Sequence, residues 1–109
     1  MDVYFAETYA RQRDKKTVVE IAATNNFLEQ NIPNPVLGKT TIGYFLSSDS
    51  RDAFMKITDL GGRTIQSIPL REKGNSQIQI NCSEMSAGIY FYSLSVEGEV
   101  MATKKMVVQ

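Results

Sequence analysis

Ile89-Tyr90-Phe91-Tyr92-Ser93-Leu94-Ser95-Val96 is the stretch on which the fold turns. Tyr90, Tyr92, Leu94 and Val96 share one face at the two-residue period of a strand. Ile89 and Phe91 make the other face apolar too, which places the strand inside a sheet rather than at its edge. Glu97-Gly98 turns the chain. Glu99–Val108 then returns with Val100, Ala102, Met106 and Val108 on one face. Lys104 falls on that face as well, so it must snorkel or sit at the rim.

Working outward, the same period recurs. Ser76–Asn81 alternates through Ile78 and Ile80, and Ala53–Leu60 sets Met55 and Ile57 against Lys56 and Thr58. Gly61-Gly62 reads as a two-residue hairpin turn, since paired glycines supply the positive φ such turns require. Arg63–Ile68 is its return strand, and Pro69–Asn75 reads as a charged loop. Thr41–Leu46 puts Ile42, Tyr44 and Leu46 on one face. Pro33-Asn34-Pro35 and Leu37-Gly38-Lys39 interrupt regular structure, because proline removes a donor and restricts its neighbour. Leu28–Ile32 is a candidate seventh strand. No helical period appears after residue 27. Short strands at a spacing of about 10–12 residues with turn signals between them predict an all-β, immunoglobulin-like Greek-key β-sandwich of about seven strands. A small barrel is the alternative.

Residues 1–27 read differently. The apolar stretches Val3–Ala10 and Val18–Ala23 flank a charged run from Arg11 to Lys16. They are either two strands joined by a charged turn or, for the first, a helix with Ala6, Tyr9, Ala10 and Arg13 on one face. Ala22-Ala23-Thr24-Asn25-Asn26 is small and polar and reads as a linker. The domain boundary is therefore expected at 27/28.

Composition excludes several functions. The 109 residues carry 12 Lys+Arg against 12 Asp+Glu, a net charge of zero, with no histidine and one cysteine. A balanced chain lacks the basic field of a non-specific nucleic-acid binder. Without histidine, and with Cys82 alone, neither a structural zinc site nor a histidine-dependent catalytic triad can be built. No metal, cofactor or catalytic residue is expected. The longest apolar runs, Val3–Ala6 and Ile89–Tyr92, fall far short of the roughly twenty residues of a spanning helix, so no transmembrane segment is expected. The start, Met1-Asp2-Val3-Tyr4, is unlike a secretory signal. The protein is expected to be either cytoplasmic or a piece of a longer precursor.

Four features in order, from Leu28 onward, carry a resemblance. They are Gln30-Asn31-Ile32-Pro33-Asn34-Pro35 followed by Thr40-Thr41-Ile42; Leu60-Gly61-Gly62-Arg63; Ser86-Ala87-Gly88-Ile89-Tyr90 leading to Leu94; and Gly98 with a closing Lys104-Lys105-Met106-Val107-Val108. Together they resemble the C-terminal sorting domain of the type IX secretion system, found on secreted proteins of the Bacteroidetes. Gly62 stands where the family often has a larger polar residue, and Gln109 where it often has a basic one.

The resemblance implies a non-catalytic secretion signal at the end of a precursor. An attached N-terminal cargo would cross the periplasm and then the outer membrane. Type IX translocon and sortase proteins would be the partners, and the cell surface or the medium the destination. It makes Pro33, Asn34, Pro35, Leu60, Gly61, Gly88, Tyr90, Leu94 and Gly98 the family motif. It makes Lys104, Lys105, Met106, Val107 and Val108 a recognition tail, and Ala23, Thr24, Asn25 and Asn26 the linker in which a sortase would cut. An exposed last strand would offer its edge to a receptor by strand addition. The plainer reading of the two lysines is protection of that edge from aggregation. Deleting Met106–Gln109 is expected to block export while leaving most of the fold intact. Tyr90, Phe91 and Tyr92 are either a carbohydrate-stacking row or core packing. A β-sandwich carbohydrate- or protein-binding module, or a structural spacer, is the alternative function.

Overall fold

Eight strands and no helix account for residues 26–109, the part of the chain that the computed structural model describes. They are β1 (Phe27–Leu28), β2 (Ile32–Leu37), β3 (Lys39–Leu46), β4 (Ala53–Asp59), β5 (Thr64–Leu70), β6 (Gly74–Asn81), β7 (Gly88–Val96) and β8 (Glu99–Val108). Seven of them are six residues or longer. One sheet has β3 at its centre, antiparallel to β6, β1 and β2. The other runs β5-β4-β7-β8, antiparallel throughout. The link between them is β2, which pairs with β3 and also lies parallel to β8 at Val36 and Val108. The chain crosses between sheets from β3 to β4, from β5 to β6 and from β6 to β7. Strand β7 returns beside β4, a Greek-key connection. This is the immunoglobulin-like sandwich that the strand periodicity predicts.

Side chains from both inner faces form one core. Ile42, Tyr44, Leu46 and Ile80 come from the first sheet; Met55, Ile57, Tyr92, Leu94, Met106 and Val108 come from the second. Strand β7 is indeed internal, flanked by β4 and β8. Tyr90 and Tyr92 point inward, so the stacking-row reading of these aromatics does not hold; only Phe91, half-buried, lies on the outer face. Cys82 is a small buried hydrophobe, and burial pushes its thiol pKa up.

Several boundaries differ from expectation, each for a local reason. Gly61-Gly62 is not a two-residue turn. Asp59 N–H bonds to Arg63 C=O and Gly62 N–H to Asp59 C=O, which makes a three-residue loop, Leu60-Gly61-Gly62. Only Gly62 needs positive φ, at 88°. Among the described residues a two-residue turn is made instead by Glu97-Gly98, with φ of 53° and 82°, as a type I′ hairpin demands. The loop expected at Pro69–Asn75 shrinks to residues 71–73, because Pro69 and Leu70 still pair with β4 and Gly74 and Asn75 already pair with β3. A bulge between Leu94 and Ser95 takes up one extra residue of β8. Ala102 therefore faces inward opposite Leu94, while Val100 is exposed.

The largest difference is at the prolines. The seventh long strand is not Leu28–Ile32 but the proline-bearing Ile32–Leu37, both of whose prolines follow cis peptide bonds. Proline is tolerated in an edge segment, where a missing N–H breaks no internal ladder. Asn26 and Phe27, just before the expected 27/28 boundary, touch the sandwich. Phe27 stacks on Phe45 with ring centroids 5.5 Å apart, and Asn26 Oδ1 accepts the N–H of Ser47 at 2.6 Å. Residues 1–25, with both readings of Val3–Ala10 and Val18–Ala23, lie outside the described residues.

Candidate functional site

The expected recognition tail is the C-terminal half of β8. Strand alternation divides it. Met106 and Val108 are core residues, Lys104 is half-buried on the same side, and Lys105 and Val107 sit on the outer face of the sheet. Across from the last two, on β7, stand Phe91 and Ile89. The side chains that the tail offers to solvent are thus Lys105 and Val107, next to two hydrophobes.

The main-chain edge of this half-strand is not free. Strand alternation directs the backbone groups of Lys105, Val107 and Gln109 away from β7, and each is met by the Gln30–Val36 stretch. Gln30 Nε2 donates to the Lys105 carbonyl at 2.8 Å. Asn34 Oδ1 accepts the Val107 N–H at 2.9 Å. The Val36 carbonyl accepts the Gln109 N–H at 2.8 Å. A segment carrying two prolines thus holds a strand mostly through amide side chains, Gln30 as donor and Asn34 as acceptor. Strand addition at residues 105–109, as the sequence suggests it, would have to displace these bonds.

The clamp itself is held from below. Asn31 is 1% exposed. Its Nδ2 donates to Pro33 C=O at 3.0 Å and to Thr40 Oγ1 at 3.1 Å, and Thr40 Oγ1 donates to Pro33 C=O at 2.9 Å. Gln30 Nε2 also reaches Asn31 Oδ1 at 2.7 Å. The hydroxyl of Tyr92, fully buried, donates to Glu29 C=O at 2.7 Å and accepts Asn31 N–H at 2.8 Å. Burial pushes that hydroxyl's pKa up to about 12. A buried polar group must find partners or be penalised. Here they find one another, and the network joins the segment between β1 and β2 to β2, β3, β7 and β8.

The other motif residues fall into distinct roles. Tyr90 is buried and its hydroxyl donates to Ser86 C=O at 2.7 Å; Leu94 is in the core. Gly88 opens β7 and Gly98 makes the β7–β8 turn. Leu60 and Gly61 lie in the β4–β5 loop, where Leu60 is exposed. Asp59 orders that loop. Its Oδ1 accepts Arg63 N–H at 2.9 Å, a bond that holds its carboxyl below the usual range, and its Oδ2 lies 3.2 Å from Arg63 Nε. Pro33, Asn34 and Pro35 are exposed beside β8. Asn26, the last residue of the expected processing linker, is tied to the β3–β4 loop; Ala23, Thr24 and Asn25 lie outside the described residues.

Gln30, Asn31, Thr40 and Tyr92 are the residues whose individual roles sequence reasoning did not assign. A lone buried tyrosine carries one signal, that its hydroxyl needs a partner, but not which.

A depression of about 620 Å³ lies elsewhere on the surface, lined by Arg51, Asp52, Phe54, Lys56, Ser95 and Glu97 among others. Of the motif residues it touches only Gly98. Among the described residues, no cluster of three or more Cys, Asp or Glu could hold a metal ion, and no helix is long and apolar enough to cross a membrane.

The last strand of this immunoglobulin-like sandwich is thus clamped by an Asn- and Pro-bearing segment. The chain belongs to the secretion system C-terminal sorting domain family, whose model matches residues 31–109. It is a sorting signal for type IX secretion, and domains of this family are in general non-catalytic. None of the curated proteins matches the chain. Among solved structures, the crystal structure of dimeric latent PorU from Porphyromonas gingivalis is similar over 76% of this chain, with a TM-score of 0.64 and 22% identity. The match spans 9% of that longer chain, and at this identity the likeness is one of fold.

Proposed function

We propose that the export machinery reads this domain as a folded surface. That surface is the outer face of the clamped β8 end, with Lys105 and Val107 as the side chains presented. Met106 and Val108 act from beneath as anchors, and Lys104 as a rim cation. Pro33-Asn34-Pro35 borders the surface, and Leu60 at the β4–β5 tip is a second exposed motif residue. The observation that carries this reading is the clamp. Gln30, Asn34 and Val36 fix the backbone of residues 105–109, so the outward side chains keep one geometry before any partner arrives.

In the same reading the partners are proteins of the type IX translocon and a sortase. The cargo precedes the domain in the precursor, passes the periplasm in transit, and ends at the cell surface or in the medium. A protease needs extended, accessible backbone. The bonds Asn26 makes to Ser47 and Ser50 put that residue on the folded side, so processing falls in Ala23-Thr24-Asn25.

The test is a reporter carrying this chain at its C-terminus, expressed in a cell with type IX secretion. Lys105→Glu with Val107→Thr changes the outer face and leaves the core and the clamp's backbone bonds in place. The expected result is reporter retained in the periplasm with an unchanged melting midpoint for the isolated chain. Export at the wild-type level by this variant contradicts the reading.

A further inference from the structure

The clamp covers one sheet edge. Among the described residues, the edge strands left are β1, of two residues, β5 and β6. Pro69 and a bulge opposite Ile57 and Thr58 interrupt β5. Strand β6 has neither. It pairs with β3 in unbroken register over eight residues, Lys39↔Asn81 through Leu46↔Gly74. Among the described residues, no strand pairs with its other side. From Gly74 to Asn81 it holds no proline and no charge. Natural edge strands of this length are ordinarily blunted by lysine, proline or a bulge; this one is not.

The register shows which backbone groups are free. Cys82 N–H bonds to Gly38 C=O at 2.7 Å, so the even-numbered residues of β6 direct their N–H and C=O to β3. Asn75, Gln77, Gln79 and Asn81 therefore direct theirs outward. Gln66 Nε2 reaches the outward Asn81 carbonyl at 3.3 Å, as this parity requires, and leaves the groups of Asn75, Gln77 and Gln79 open. The side chains of these three are exposed, while Ile78 is half-buried and Ile80 fully buried.

This edge is complementary to itself. In an antiparallel pair of β6 strands with Ile78 opposite Ile78, Gln77 faces Gln79 of the second copy and Gln79 faces Gln77. Those are the residues with free backbone groups, so the two pairs close four main-chain hydrogen bonds. The same register sets amide against amide on the outer face and isoleucine against isoleucine beneath, with no charge opposed to any other. Shifting it by one residue would set outward side chains against inward ones. We propose that β6 is an interaction surface for a second copy of this chain. The two copies pair antiparallel about a two-fold axis at Ile78, so that the β3 sheet continues from one molecule into the next.

Sedimentation of the full 109-residue chain over a concentration series tests this. The wild type is expected to pass from monomer to dimer as concentration rises. Gln77→Lys with Gln79→Lys sets lysine against lysine twice and is expected to weaken dimerisation by ~10-fold or more. Gln77→Lys with Gln79→Glu sets opposite charges against each other in this register and is expected to restore it. Both pairs are at exposed positions, so melting midpoints should match the wild type and separate lost pairing from lost folding. A full-length chain that stays monomeric throughout overturns the proposal, whether the edge is idle or taken by residues 1–25. So does a double-lysine variant that associates as strongly as the wild type.

Discussion

Asn34 Oδ1, set between Pro33 and Pro35, takes the N–H of Val107 at 2.9 Å across 73 residues of sequence. The two ends of the domain are joined by a side chain acting as backbone. Asn34→Ala leaves the Val107 N–H without its partner, at a cost of ~1 kcal/mol. Hydrogen exchange should show the Val107 amide losing protection while amides in β4 and β7 keep theirs. Equal protection in the variant would mean that the bond is idle.

Tyr92 makes the domain sensitive to alkali. Its folded-state pKa of about 12 lies above the ordinary tyrosine value of 10.0, so the unfolded chain gives up the phenolic proton first. The associated stability is fully present below pH 10 and is lost as pH rises toward 12. It amounts to ~3 kcal/mol over that window. Tyr92→Phe should melt lower at neutral pH, because Asn31 N–H and Glu29 C=O lose their partner. Melting curves from pH 8 to 12 should then fall less steeply for the variant. Tyr44, also raised by burial, leaves a residual slope in both.

Deleting Met106–Gln109 is not the mild change that the sequence suggests. It removes two core side chains, Met106 and Val108, and two of the three main-chain clamp bonds. Burial of one such side chain is worth ~2–5 kcal/mol as measured by truncation to alanine, a large part of a small domain's stability. Denaturant titration should find the deletion largely unfolded. A cooperative transition close to the wild type's would show that β8 ends earlier in solution.

Gly98 holds φ of 82° in the β7–β8 hairpin and Gly62 holds 88° after the β4–β5 turn. Alanine at either position faces open space but an unfavourable backbone, at ~1–2 kcal/mol. Urea midpoints should drop for Gly98→Ala and Gly62→Ala and hold for Gly61→Ala, where no positive φ is needed. Equal drops at Gly61 and Gly62 would contradict the three-residue loop.

Alternation was enough to find β3, β4, β6 and β8, because each has an apolar face and a more polar one, and β7 was found by its continuous β-branched and aromatic run. The central place of β7 was legible in Ile89 and Phe91. The bulge near Met101 was not, since an extra residue in a polar-to-apolar stretch leaves no gap in composition, and it turned Val100 outward. Strand β2 was hidden by its prolines, which read as a break until the amides of Gln30 and Asn34 are seen to do the bonding. The resemblance treats the Asn-Pro stretch and the Lys-Val tail as separate signals. Their contact depends on a parallel pairing of residues near the two ends, which no local pattern reports.

The central claim is that the tail is read folded, not as a linear string. The decisive measurement is export of a reporter fused to the Gln30→Ala/Asn34→Ala chain, which leaves every residue from Lys104 to Gln109 unchanged but removes two of the three clamp bonds that hold the β8 end. The account predicts frayed amides at residues 105–109 by hydrogen exchange and reporter held in the periplasm. Wild-type export from a chain whose β8 end is demonstrably frayed would contradict it.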